Sequence, residues 1–503
     1  MSVFGRGLAR LCAVVAAATA RESRVLVERA LSETPTVELR LDWLANDRER
    51  RALLKWLKRA ARKKAVFVAT CRRRAGGGKF PGSARRELFW LAQAAQAGCV
   101  WCDLEIETLR EFPGEALDGS KLPKILLSIH DFKGTPKLRF MRLAERSGIH
   151  AVKIAARSRT LAASARLLRS AGGRKNLVAV PMGDVGLPAR ILALRQGSAL
   201  VYAPVGAPTA PGQVDLREMK ELYRAHQLTD KTRVYGVIGN PIGHTLSPLL
   251  HNTGYVLANK DAVFLPFLVK DLGDFLKFAG DFGVRGFSVT IPLKQRIFDY
   301  LDACEPLAEE IAAVNTVTVR RDGKLMGRNT DYLGVLEAFK GKLRLPGSRV
   351  LIYGAGGAAR AAAFALARSG AEVVVSARRD SAASKLARAV HGSVMKRAWL
   401  RREKFDAMVN ATPIGMHPYE QRSPLEVSEL NCAVVLDLIY RPLKTTLLRL
   451  AQSRGVETVS GVEMFLAQGI AQWELWMKTP APANAMRQAV LSALQAEEKR
   501  QTK

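Results

Sequence analysis

The sequence predicts an α/β protein: an N-terminal (β/α)8 barrel, then a second α/β unit that ends in a doubly wound parallel sheet. Three observations carry this. From residue 9 to about 215, eight short apolar runs alternate with helical patterns at fairly even spacing. Charged residues stand in or near the ends of these runs, and an apolar strand tolerates them only toward a site or a partner. The second half holds a strand, a glycine turn and an Ala-rich helix at RVLIYGAGGAARAAAFALARSGAEVVVSARR, and it does not resemble the first half.

The start, Met1 to Ala20, has two arginines before the apolar run Leu11 to Ala18, which mimics a short signal peptide. It leads straight into a charged helical stretch, Arg21 to Ala30, as a first strand and first helix do. The runs are CAVVA, TVELRL, AVFVAT, WCDLEI, KILLSIH, AVKIA, LVAVPMG and ALVYAP. In such a barrel catalytic groups belong at the carboxyl ends of strands. Glu38 and Arg40, Arg72, Asp103 and Glu105, His130, and Lys153 stand there. Singly, a buried Lys or a strand-end His is more often an ion-pair partner; together they indicate a site.

Gly206 to Gln213 closes the barrel, Asp215 to Lys231 reads as a final helix plus linker, and a new strand starts at Val234. The expected division is a barrel over 1–228, an α/β substrate domain over 229–335 with C-terminal helices over 478–503, and a dinucleotide-binding domain over 336–477. No repeat of 20 to 50 residues is visible.

Bulk composition fits this plan. At 503 residues the chain asks for two or three domains. Its 48% hydrophobic and 25% charged residues are near the globular averages, which excludes a disordered chain. The 78 Lys plus Arg against 46 Asp plus Glu give +32, so nucleic acid has to be weighed. The basic residues are spread along the chain with no aromatic ladder between them, so solvated helix faces and attraction of anionic metabolites are the expectation, without specific nucleic-acid binding. The pair Cys99 and Cys102 has no second pair at zinc-finger spacing, and no metal is expected. No other stretch reaches the roughly 18 apolar residues of a membrane span. A soluble cytoplasmic protein, with no membrane partner, is expected.

The glycine turn points to a cofactor. Gly354, Ala355, Gly356, Gly357 and Ala358 form a GxGxxA turn between strand and helix, where glycines let a pyrophosphate approach backbone N–H groups. The next strand ends in Arg378 and Arg379 instead of an acidic residue, and guanidinium groups there suit a 2′-phosphate, so the expected cofactor is NADP(H). This half resembles shikimate dehydrogenase over essentially its whole length, through GNPIGHTLSPLLHN (239–252), FSVTIPLK (287–294), AVNTV (313–317), GRNTDYLGV (327–335), the GAGGAAR turn, NATPIGM (410–416), VLDLIYRPLKTTLL (435–448) and GVEMFLAQ (461–468). The resemblance implies a substrate domain, a Rossmann domain and a cleft between them. It makes Lys294 and Asp331 the catalytic pair, gives substrate to Thr245, Ser247, Thr290, Asn315 and Gln468, and adds Thr412, Met416 and Gly461 to the cofactor site. Position 245 is usually Ser in that family; Thr keeps the hydroxyl and adds a methyl group, leaving shikimate and quinate both open.

The first half resembles type I 3-dehydroquinate dehydratase through VELRLD (37–42), SIHDFKGTP (128–136), AVKIA (151–155), VPMGDVGLPAR (180–190) and APTAPGQ (207–213). The resemblance implies a Schiff base at Lys153, with burial favouring a neutral amine, and proton transfer by His130 titrating near neutrality. Arg190 would hold the substrate carboxylate, and Glu38, Arg40, Arg72, Thr209 and Gln213 the ring and the closing loop. One departure matters: the family has a Glu four residues after the arginine matched by Arg72, and here Gly76 stands there. His130 is then oriented by Asp131, Asp103 or Glu105, or the dehydratase is slow. Pro188 for the usual Ser is a milder change.

The expectation is a bifunctional enzyme of the shikimate pathway that dehydrates 3-dehydroquinate and reduces the 3-dehydroshikimate formed to shikimate. Its partners are these small molecules, and its oligomeric state is open. The alternatives are a quinate/shikimate dehydrogenase with an impaired barrel, and a scaffold that uses its charge. Intact Lys153, His130, Lys294 and Asp331 argue against a pure scaffold.

Overall fold

The computed structural model describes residues 2–60, 65–134, 148–207, 212–243 and 245–501. It forms two compact units, Met1–Thr232 with Asp271–Phe282, and Arg233–Lys270 with Gly283–Lys503.

In the first unit each of the eight apolar runs forms a strand: β1 (Leu11–Val15), β2 (Thr36–Arg40), β3 (Val66–Thr70), β4 (Trp101–Glu105), β5 (Ile125–Asp131), β6 (Ala151–Arg157), β7 (Leu177–Met182) and β8 (Val201–Pro204). All pairings are parallel, in the order β7-β6-β5-β4-β3-β2-β1-β8. The ends of this row meet where Ala199 N–H donates to Leu177 O at 2.7 Å and Ala179 N–H to Ser198 Oγ at 3.0 Å. The apolar start is therefore a buried barrel strand. Its turn into the first helix, Ala20–Leu31, is fixed by a capping box: Thr19 Oγ1 accepts from Glu22 N–H at 3.2 Å, and the Glu22 carboxylate accepts from Thr19 N–H at 3.3 Å. Val14, Val68, Trp101, Leu126 and Val178 belong to one buried apolar cluster, so the barrel has a packed core. The final helix expected after Asp215 shrinks to one wide turn, Glu218–Leu222, which Arg224 at φ 48° cannot continue.

The second unit has two sheets. The first runs β10-β9-β11-β13-β14-β12, built from β9 (Arg233–Gly239), β10 (Ala262–Leu268), β11 (Val284–Val289), β12 (Ala303–Cys304), β13 (Thr316–Val319) and β14 (Leu325–Arg328). Here β9, β10 and β11 are parallel, and β13 joins antiparallel to β11. The second contains β15 (Arg349–Tyr353), β16 (Glu372–Ser376), β17 (Ser393–Val394), β18 (Phe405–Asn410), β19 (Cys432–Asp437) and β20 (Glu457–Ser460), all parallel, in the order β17-β16-β15-β18-β19-β20. That order reverses between β15 and β18, the switch point at which a doubly wound sheet opens a ligand crevice. Among the described residues no helix is long and apolar enough to cross a membrane.

Candidate active sites

Strand register decides which barrel residues meet. Arg40 pairs with Thr70, and Thr70 with Asp103; Glu105 pairs with Ser128, and Ser128 with Lys153. Laddered partners in parallel strands point to the same face, so these side chains, with Glu38 and His130 two positions away on their strands, share the interior. All lie toward the carboxyl ends, as expected.

Lys153 is buried and its ammonium bonds to the Asp103 carboxylate, with Glu38 Oε1 3.8 Å away and the Tyr202 ring centroid at 4.8 Å. Asp103 also accepts from Ser128 Oγ at 2.6 Å and pairs with Arg72 Nη2 at 3.3 Å. Burial pushes the Asp103 carboxyl up, but the charges of Lys153 and Arg72 outweigh it and hold the group well below the usual carboxylate range. Burial and then the charges of Arg72 and Lys153 hold His130 well below its ordinary value, with Asp103 opposing. This direction favours the uncharged imidazole. Of the three carboxylates weighed for orienting it, Asp131 is taken by the backbone N–H groups of Lys133 and Gly134 at 2.9 and 3.0 Å, and Asp103 is the one whose charge acts on the ring.

Arg190 is buried and donates to Pro181 O at 2.9 Å and Gly212 O at 2.6 Å. It has no ion-pair partner among the described residues, and burial pulls it down to about 10. A guanidinium held this way favours an anion beside it. Arg40 is different, since both Asp42 oxygens take its fork at 2.9 and 2.7 Å. Glu38 accepts from Thr70 Oγ1 at 2.7 Å. Gln213 is half-buried next to Gly212, and Thr209 lies outside the described residues. At Gly76 an added Cβ would collide with Glu105 Oε1, so Glu105 fills the space over the glycine.

In the second unit one cavity of about 1460 Å³ is lined by Thr245, Ser247, Thr290, Lys294, Asn315, Asp331 and Gln468, and by Gly354 to Ala358, Arg378, Arg379, Thr412, Met416 and Gly461. Every residue named from the sequence for this half is there. Lys294 Nζ lies 2.5 Å from Asp331 Oδ2, while Asn315 Nδ2 donates to Asp331 Oδ1 at 2.8 Å and to Gln468 Oε1 at 3.4 Å. The other amide group of Gln468 donates to Phe465 O at 2.8 Å. Thr245 Oγ1 donates to Ser247 Oγ at 3.1 Å. A lysine whose ammonium is fixed by a buried carboxylate can present a proton to a substrate oxygen in one direction.

The cavity fits a dinucleotide. Gly354 has φ +126°, and a Cβ there would press on Ala411 O at 2.8 Å, so only glycine makes the turn. At Gly356 nothing lies within 4 Å of an added Cβ, leaving the backbone open to a ligand at the N-terminus of the helix Gly357–Arg368. Gly357 also packs against Lys294, its added Cβ 3.1 Å from Lys294 Cβ, which sets the turn beside that lysine. Opposite, the buried Asp437 accepts from Thr445 Oγ1 at 2.6 Å and Asn410 Nδ2 at 2.9 Å, and Asn410 Oδ1 takes the Thr412 hydroxyl at 2.7 Å.

Several participants escape sequence reading. Ser128 and Tyr202 are ordinary strand residues until register sets Ser128 beside Lys153 and the barrel interior brings the Tyr202 ring to it. Tyr440 and Gln472 line the cavity too, with Tyr440 OH accepting from Leu246 N–H at 3.4 Å and Gln472 accepting from Ser288 Oγ at 2.6 Å. For Tyr440 the string VLDLIYRPLKTTLL was the available signal. Among the described residues no group of three or more His, Cys, Asp or Glu could hold a metal ion.

Comparison with known proteins places this chain among two enzyme families. Residues 11–230 match the type I 3-dehydroquinase profile, 237–317 the shikimate dehydrogenase substrate binding domain, and 461–491 the shikimate 5′-dehydrogenase C-terminal domain. The chain is 33% identical over 475 residues to the chloroplastic bifunctional 3-dehydroquinate dehydratase/shikimate dehydrogenase of Arabidopsis thaliana, covering 89% of this chain and 78% of the relative. It is 40% identical over 274 residues to the shikimate dehydrogenase (NADP(+)) of Bacillus cereus, covering 52% of this chain and 99% of the relative. A crystal structure of shikimate 5-dehydrogenase from Thermus thermophilus in complex with NADP(H) and shikimate aligns at 34% identity over 52% of this chain and 100% of its own, with a TM-score of 0.47.

Proposed function

The chain belongs to the family of bifunctional 3-dehydroquinate dehydratase/shikimate dehydrogenases, and on that premise we propose that its barrel dehydrates 3-dehydroquinate and its second unit reduces the product to shikimate with NADPH. The observation that carries this reading is that one chain holds two lysine–carboxylate centres, Lys153 with Asp103 and Lys294 with Asp331, the second beside a glycine turn.

In the barrel, Lys153 Nζ condenses with the ring ketone and releases water. The iminium acidifies the adjacent C–H, and neutral His130 takes that proton. The same proton leaves with the ring hydroxyl as water, so the imidazole ends as it began, and hydrolysis of the iminium frees 3-dehydroshikimate and Lys153. Asp103 holds Lys153 in place and takes a proton from its ammonium as the amine attacks, that proton leaving with the ketone oxygen as water, while Arg190 takes the substrate carboxylate and Glu38, Arg40, Arg72, Thr209 and Gln213 hold the ring and the loop.

In the second unit, Thr245, Ser247, Thr290, Asn315 and Gln468 take the hydroxyls and carboxylate of the ring, since each can donate or accept. Lys294 gives a proton to the carbonyl oxygen, and Asp331 aims it. NADPH, when bound, supplies the hydride. The turn from Gly354 to Ala358 would hold its pyrophosphate, Arg378 and Arg379 the 2′-phosphate, and Thr412, Met416 and Gly461 the nicotinamide side. The reading includes no metal, no nucleic acid and a cytoplasmic location, the last tested by cell fractionation.

The test supplies 3-dehydroquinate and NADPH and follows loss of NADPH absorbance, with 3-dehydroshikimate as the control substrate. Wild type is expected to oxidise NADPH with both, Lys153→Ala only with 3-dehydroshikimate, and Lys294→Ala with neither. Turnover of 3-dehydroshikimate alone by wild type would reduce the barrel to a structural partner.

A further inference from the structure

The sheet of the second unit brings a third free cation to the two arginines that follow β16. Strands β16 and β17 pair in parallel, Val374 with Ser393 and Val375 with Val394. Met395 N–H donates to Val375 O at 3.0 Å, so the ladder runs on and sets Lys396 beside Ala377, one strand over from Arg378. Strands in a sheet are about 4.8 Å apart, well within the reach of Lys and Arg side chains. All three residues are exposed and line the same cavity. Among the described residues none of the three is in an ion pair, and Asp380, next to Arg379, pairs with none of them. The neighbouring Arg397 behaves differently: both its donor arms meet Glu429 at 2.9 Å.

Three unpaired cations at one sheet edge repel each other unless an anion joins them. Position names the anion. The pyrophosphate belongs to the helix N-terminus after β15, whereas Lys396 stands on the far side of β16, toward the ribose that β16 serves in such sheets. We propose that Lys396 is a specificity-determining residue, the third cation of a subsite for the 2′-phosphate of the dinucleotide. This rests on the NADPH reading above. It also explains why the charge survives on a segment where the adjacent arginine is neutralised.

Isothermal titration calorimetry on the full chain tests it with NADPH, NADH and adenosine 2′,5′-bisphosphate, a readout independent of turnover. Lys396→Met is expected to weaken NADPH and the bisphosphate by about tenfold, the scale of one charge-assisted hydrogen bond, and NADH by less than about twofold. Lys396→Arg should restore most of the loss, and Lys385→Ala, an exposed lysine on the next helix, should change nothing. If wild type prefers NADPH and Lys396→Met keeps that preference intact, the assignment of Lys396 falls and the NADPH reading stands. If wild type binds NADH as tightly as NADPH, both fall together.

Discussion

The carboxylate of Glu105 occupies the space into which a side chain at Gly76 would project. Glu105 is buried on β4, Arg72 Nε and Arg73 Nε each lie 3.6 Å from it, and burial raises its pKa to about 7. Gly76→Ala should therefore destabilise the barrel by about 1–3 kcal/mol, the usual scale of overpacking. The loss should shrink when Glu105 is also truncated to Ala. Denaturant unfolding of the two single variants and the double variant measures this coupling, and strictly additive losses would refute the steric relationship. Gly76→Glu, the residue that the resemblance of the barrel leads one to expect there, is expected to weaken the dehydratase as long as Glu105 keeps its length.

Burial and the charges of Arg72 and Lys153 lower the pKa of His130, the proposed base of the barrel. A base needs its deprotonated form, so lowering the pKa extends activity toward acid, and the acid limb of dehydratase kcat/KM should lie below pH 6.5. Arg72→Met removes one of the opposing charges and should move that limb upward by up to about one unit. The readout is the position of the limb, because Arg72 is also proposed to hold the substrate ring and the rate itself is expected to fall. An unmoved limb would remove Arg72 from the electrostatic account.

Asp331 accepts from Lys294 and from Asn315 with its two oxygens. Asp331→Asn keeps the shape and removes the charge that aims the ammonium. Dehydrogenase kcat is expected to fall about 10²-fold or more, the scale of lost acid–base catalysis. Dehydratase turnover in the same sample should stay at the wild-type level, since Lys153 and its partners belong to the first unit.

Glu87 is fully buried on the helix Ala84–Gln96, and burial raises its pKa to about 8 despite Arg73 Nε at 3.1 Å and a bond from Thr108 Oγ1 at 2.6 Å. A carboxyl raised in the folded state binds its proton more tightly there than when unfolded. Its contribution is full below the unfolded value near 4.5 and is lost as pH rises through about 8. Barrel stability should fall across that window by up to about 1.4 kcal/mol per pH unit from this group. Glu87→Gln should flatten the slope in thermal melts between pH 5 and 8.5; an unchanged slope would assign it to other groups.

The sequence by itself determined the two parallel-sheet architectures, because apolar runs of strand length, spaced by helical patterns, have few other ways to bury their surface. The residues it named in the second unit all line one cavity. Lys294, Asp331 and the turn at Gly354 each lie in a distinctive short string, although their contacts join strings far apart in the chain, Lys294 to Asp331 and Asn315 to Gln468. The barrel site was legible only as a set of charges at strand ends. Which of them pair depends on register between strands far apart in the chain, and that brought Asp103 to Lys153, left Arg40 to Asp42, and turned Asp131 away from His130. The occupant of the gap above Gly76 was equally out of reach, since a missing side chain says nothing about what packs into its place. Lys396 followed the same rule: only the ladder between β16 and β17 put it beside Arg378. Tertiary structure alone decides these matters because pairing and desolvation act across space, while composition and motif spacing act along the chain.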